Sequence, residues 1–280
     1  MISAVEAQEI LASRDLIAIG MRGDEVRRRL HGAKTTFVRV FEIHADAPPS
    51  ALPPRTSAGE IRIVGRPPSL DAAIGAVRAA VAIAGPVPVT GFSLSDLLSL
   101  EGAASLADAC RALRGAGLEA VAEAPIDIVQ DPAVAIAAAR SAGLAVTRLT
   151  VHALDPGNRI PLVTCAHDIQ RAVGGIRAFA PLPRTTSISM PTTGYDDVKL
   201  VALARLAVDN IDSIQVDWAL YGPKLAQFAL MIGADDVDNV AAVDPGTLGT
   251  RRSPLEEIRG NIRSAALQPV ERNARYEEIG

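Results

Sequence analysis

Short β-branched runs and helix-period runs alternate along this chain almost from end to end, and that alternation limits its fold more than any other feature. TTFVRVFEI (35–43) reads as the first strand and EIRIVG (60–65) as the second. From there the two patterns take turns. Helical runs span 69–85, 105–117, 131–143, 160–175, 195–210, 222–234 and 253–267; strand runs span 86–92, 118–129, 144–153, 176–183, 211–218 and 235–243. Helix starts carry their own marks: Ser69 before Leu70, Asp131-Pro132, and Ser253 spaced with Glu256 as a capping box. Eight strands, all but the first followed by a helix, predict a (β/α)8 barrel of the TIM type with helices appended at both ends. An open doubly wound sheet is the alternative, but no GxGxxG follows any strand to build a dinucleotide crevice. The expected divisions are N-terminal helices over 1–34, the barrel over 35–252, and a C-terminal helix and tail over 253–280 packing on the barrel.

Composition narrows the function classes. At 280 residues and 49% hydrophobic, the chain can bury a full-sized core. A net charge of −4 and 3% aromatic residues supply neither the basic field nor the stacking platforms of a nucleic-acid protein. The most apolar stretch, 76–89, is interrupted by Arg78, Gly85, Pro86 and Pro88, so no membrane span is expected. Glu6, Glu9 and Asp15 stand where a secretory leader would be basic, and two cysteines, Cys110 and Cys165, suit a reducing compartment. The expectation is a cytoplasmic protein.

In a barrel of this kind chemistry sits at the C-terminal ends of the strands. Strand one ends in Glu42 and His44, strand four carries Glu123 and runs to Asp127, strand five ends at His152, strand six at Arg184, and strand seven at Asp217; Asp235 and Asp236 open strand eight. Glu42, His44, Glu123, His152 and Asp217 are the side chains that acid–base catalysis at the mouth would use. No HxH, HExxH or CxxC spacing marks a metal site, and none is expected.

The C-terminal half carries a more specific signal. PTTGYDDVKLVALARLAVDN (191–210), IQVDWALYGPKLAQFALMIGADDVDN (214–239) and PVERNARYEEI (269–279) resemble, in order and spacing, blocks of the aminofutalosine synthases. That family forms one branch of the radical S-adenosylmethionine enzymes with the cyclic dehypoxanthine futalosine synthases and deazaflavin-cofactor synthases. Upstream the likeness thins but continues through DEVRRRLHG (24–32), EIRIVGRPPSL (60–70), GLEAVAEAPIDI (117–128) and FAPLPR (179–184). The resemblance implies ligand-facing roles for Asp127, Arg184, Tyr195, Asp196, Asp235 and Asp236. It also implies a C-x-x-x-C-x-x-C motif after strand one, whose three thiolates hold a [4Fe–4S] cluster open to S-adenosylmethionine.

Here that stretch is HADAPPSALPPRTSAG (44–59), without a cysteine and without room for the helix that follows it in the family. The glycines of the family's fourth strand are replaced by Glu123-Ala124-Pro125. Neither the cluster nor S-adenosylmethionine is therefore expected as a cofactor. The leading expectation is a cluster-less homologue that binds a small nucleoside-type molecule as a binding, scaffolding or regulatory protein of futalosine-pathway menaquinone synthesis. Its implied partners are an active relative or a second copy of the chain. The alternative is a non-radical lyase, isomerase or hydrolase running on the five mouth residues.

Overall fold

The predicted rhythm closes on itself. In the computed structural model, which describes residues 2–185, 193–246, 249 and 253–279, α1 (Ala4–Ala12) and α2 (Leu16–His31) lead into β1 (Lys34–His44). A loop without a helix joins β1 to β2 (Glu60–Val64), which α3 (Leu70–Ala84) follows. Next come β3 (Val89–Ser93) with α4 (Leu94–Leu98) and α5 (Leu106–Ala116), then β4 (Ala120–Pro125) with α6 (Pro132–Ser141). β5 (Ala145–Val146) and β6 (Arg148–Val151) precede α7 (Arg159–Val173); β7 (Ala178–Pro183) precedes α8 (Gly194–Ala207). β8 (Ser213–Asp217) with α9 (Trp218–Ile232), β9 (Asp236–Ala241) with α10 (Pro254–Ser264), and β10 (Gln268–Glu271) complete the order. The expected barrel boundary at residue 252 lies outside the described residues.

Every strand pairing is parallel, in the order β1-β2-β3-β4-β6-β7-β8-β9, and β9 pairs back onto β1 to close the barrel. β5 and β6 occupy one position beside β4. The run predicted as a single strand over 144–153 breaks at Thr147, whose carbonyl accepts from both Arg177 and Ala178 N–H at 2.7 and 3.1 Å. The strand predicted over 118–129 stops at Pro125, and Ile126–Val129 turns away over the rim. α4 has no counterpart in the predicted elements; five residues are too few to carry a helical period. The tail enters the sheet: β10 pairs with the start of β1, Lys34 opposite Gln268, on the side that β2 occupies further along.

Burial explains the strand patterns. In β2 the outward Ile61 and Ile63 pack against the helical shell, while the alternating Glu60 and Arg62 point into the barrel, and all four are buried. Phe37, Phe179, Ile214 and Val237 extend the same apolar layer between sheet and helices. Ser69 accepts from Ala72 N–H as its cap predicts, and Ser253 from Glu256 N–H without the reciprocal half of a capping box. Asp131 stands at its N-cap with no side-chain hydrogen bond, while Ser105 also caps α5 by accepting from Asp108 N–H. No helix among the described residues is long and apolar enough to cross a membrane.

α2 lies against α8 and α9 through Gly20 and Gly23. A Cβ at Gly23 would collide with the carbonyl oxygen of Ile232, which is backbone and cannot rotate aside. Gly23→Ala should therefore lose stability by about 1–3 kcal/mol, although alanine is the better helix former. Urea denaturation reads this directly; an unchanged or raised midpoint would mean that α2 slides freely on α9.

Candidate functional site

The barrel interior is built from charge instead of the branched aliphatic layers usual in such barrels. At its base Asp236 accepts from Thr36 Oγ1 at 2.5 Å, from Gln215 Nε2 at 2.6 Å, and from Arg272 through a bidentate pair at 2.6 and 2.7 Å. Arg272 reaches in from the tail and lies over the Tyr276 ring, 4.1 Å from its centroid, while burial pushes the Tyr276 phenol up to about 12.

One layer higher, Asp238 is the hub. Arg62 donates to both of its oxygens at 2.7 and 3.0 Å, and Arg148 Nη1 donates to Oδ2. Arg62 also grips Glu60 at 2.8 and 2.9 Å, and Thr90 Oγ1 donates to the same carboxylate. Burial opposes the Asp238 charge, but Arg148 and Arg62 outweigh it and hold the carboxyl far below the usual carboxylate range.

At the C-terminal face Arg184 donates to Asp217 Oδ2, lies 3.3 Å from Glu123 Oε2 and reaches to 3.8 Å from Asp238. Asp217 Oδ1 accepts from Leu220 N–H at 2.9 Å, so the carboxylate that fixes Arg184 also caps α9. Above this floor opens a cavity of about 340 Å³, walled by Glu42, Phe92, Ser93, Asp96, Glu123 and Asn239 among others. Phe92 and Asn239 both have left-handed backbone, φ 62° and 59°, a conformation that asparagine tolerates and a bulky side chain such as phenylalanine rarely adopts. The Asp96 carboxyl is raised, first by burial and then by Glu123 close by, against the opposing pull of Arg66.

Four of the expected residues, Glu42, Glu123, Arg184 and Asp217, meet at this cavity. His44 and His152 do not: both are exposed and neither lines it. Asp127 turns back to accept the N–H groups of His152 and Ala153 at 2.7 and 2.8 Å, pinning the end of β6. Asp196 forms a capping box with Thr193 and pairs with Arg159 at 3.3 Å. Tyr195, 69% exposed, lines an apolar groove between α2, α8 and α9. Asp235 pairs with Arg205 and accepts from Ile214 N–H, with His31 3.4 Å away, and Asp236 is at the barrel base. Asp127, Tyr195, Asp196, Asp235 and Asp236 lie outside this cavity, and the four carboxylates have protein partners.

Arg62, Arg148, Asp96 and Asp238 were not among the expected site residues. The first, second and fourth had a sequence signal: charges at alternate positions inside strands, as in EIRIV and DDVDN, place charge on one face of each strand. Cys110 is buried on α5, its thiol pushed up to about 11 by desolvation, and Cys165 is on α7. Among the described residues no group of three His, Cys, Asp or Glu side chains is placed to hold a metal ion.

Residues 179–279, from β7 to the tail in the barrel base, match the family model described as the CofH/MqnC C-terminal region. An aminodeoxyfutalosine synthase of Streptomyces coelicolor is 32% identical over 152 residues, which are 47% of this chain and 39% of that protein. A 5-amino-6-(D-ribitylamino)uracil–L-tyrosine 4-hydroxyphenyl transferase of Methanosarcina acetivorans is 28% identical over 211 residues, 62% of this chain and 54% of that protein. The chain thus spans about half or less of the length of these curated relatives. The crystal structure of methylornithine synthase (PylB) shares the fold, with a TM-score of 0.66 at 12% identity, covering 95% of this chain and 94% of that one.

Proposed function

Starting from a barrel homologous to the futalosine and deazaflavin-cofactor branch of the radical S-adenosylmethionine enzymes, we propose a non-radical protein that binds a small nucleoside-type metabolite at the barrel mouth. In this reading it serves futalosine-type menaquinone synthesis as a binding, scaffolding or regulatory protein. The observation that carries the binding role is the open, charge-lined cavity at the strand ends, within the volume range of small-molecule sites.

The donor set supports the absence of a radical step. A cluster that leaves one iron open needs three thiolates. The loop over 45–59 offers none, and the two thiols of the chain stand on separate helices of the outer shell. The residues present do not fit such a cluster.

Calorimetry and thermal denaturation with futalosine-type nucleosides and with S-adenosylmethionine test both halves. A nucleoside at a hundredfold excess over its dissociation constant should add about 2.7 kcal/mol to stability. Anaerobic reconstitution with iron and sulfide should leave the protein colourless. Stoichiometric iron–sulfur uptake, or no stabilisation by any of the nucleosides, would overturn the reading.

A further inference from the structure

Charge in the barrel is unevenly matched from floor to wall. Beneath the cavity each guanidinium has its carboxylate: Arg62 lies between Glu60 and Asp238, Arg148 rests on Asp238 and the Ala122 carbonyl, and Arg184 is fixed on Asp217. The walls are matched only in part. Glu42, at the end of β1, faces the cavity with neither an ion pair nor a hydrogen bond. Asp96 on α4 has the exposed Arg66 3.9 Å away and His152 near enough to act on its charge. Glu123, within β4, pairs at 3.3 Å with Arg184, whose charge Asp217 already meets, and Arg184 Nε has no hydrogen-bond acceptor among the described residues.

Three carboxylates from three different elements thus face one cavity, with Arg66 3.9 Å from one and Arg184, already matched by Asp217, 3.3 Å from another. A concave, low-dielectric wall concentrates their field, so the space above the neutral floor favours positive charge. The carboxylates are too dispersed for a metal ion, since no metal-binding group of three forms among the described residues. They instead flank a space of about 340 Å³, room for a molecule displacing on the order of eleven waters at ~30 Å³ each. Phe92, Val64 and Leu220 contribute to the apolar part of its lining.

We infer that the mouth selects an organic cation, an amine-bearing small molecule whose ammonium sits among Glu42, Asp96 and Glu123 while its body lies along Phe92 and Leu220. An ammonium offers N–H donors in several directions together with the compensating charge, which a hydroxyl or carboxylate on the same body cannot. This inference rests on the mouth being a ligand site and adds which chemical group that site reads.

Isothermal titration of the full chain separates the two. One probe series is 5′-amino-5′-deoxyadenosine, adenosine and adenosine-5′-carboxylate; a second is phenethylamine, 2-phenylethanol and phenylacetate. In at least one series the amine should bind tenfold or more tightly than its neutral analogue, with the carboxylate weakest. The triple variant Glu42→Gln, Asp96→Asn, Glu123→Gln should erase that preference and leave the neutral compound unchanged. The single variant Glu42→Gln, at an exposed and unpartnered side chain, should reduce it severalfold while keeping the native melting curve. Neutral and amine probes binding equally, or a preference that survives the triple variant, would overturn the inference and leave the mouth a binding site. Binding by no member of either series would overturn both.

Discussion

Asp238→Ala should be the most damaging single substitution in this protein, removing about 3–5 kcal/mol of stability. The side chain is fully buried and stands between Arg62 and Arg148, with Arg184 above it. Without it, guanidinium groups that were neutralised lie close together in a dry interior, and none can lose its proton to escape. At roughly 2–4 °C per kcal/mol for a chain of this size, the thermal midpoint should fall by on the order of 10 °C. The pH dependence has a definite sign. The folded carboxyl is held below its unfolded value, so its contribution is complete above the ordinary carboxylate range of about 3.9 and fades as pH falls beneath that. Urea denaturation of wild type and Asp238→Asn should therefore give the same difference at pH 7 and pH 5, and a smaller one in stronger acid. A difference under about 1 kcal/mol at pH 7 would show that water enters the barrel and replaces the carboxylate.

Arg272→Ala should come second, at about 3–5 kcal/mol, for the converse reason. It strands the buried Asp236 with only Gln215 and Thr36 as donors among the described residues and removes the nearer of two cations, Arg272 and Arg177, from Tyr276. Arg275, paired with Glu119 at 2.7 Å on the rim, should not hold the tail by itself, because exposed pairs of that kind contribute little. The expected sign is cleavage after Leu267 by a protease that spares the wild type. The double variant Asp236→Asn, Arg272→Met should lose less than the sum of the two single changes, since neither side then keeps an unmatched charge. Strict additivity would mean that the two side chains do not interact.

What could be read in advance follows the range of the physics involved. The barrel was legible because each unit declares itself locally, by a β-branched run, a cap such as Ser69 or Ser253, and an apolar stripe. The mouth was partly legible because strand ends mark it. The charged interior was not, because its pairs join residues far apart: Arg62 finds Asp238 across 176 positions. Read singly, Arg62 and Arg148 look like the solvated faces of half-buried strands. His44 and His152 fall outside the cavity lining for a subtler reason. They stand at or just past the last paired residue of β1 and β6, where the chain leaves the pleat and alternation ceases to say which way a side chain points.

The seam of the barrel also governs how the chain reaches this state during synthesis. β1 emerges first, yet the strands that flank its base, β9 and β10, belong to the last fifth of the polypeptide. Closure is therefore a late and non-local event, slow by nature, and an unfinished sheet waits with open edges. During that interval Arg62 and Arg148 lack the partner that Asp238 later provides. Inward charges of this sort discourage a second nascent chain from stacking onto the open sheet. The residues that fill the finished barrel thus act beforehand as its safeguard against aggregation.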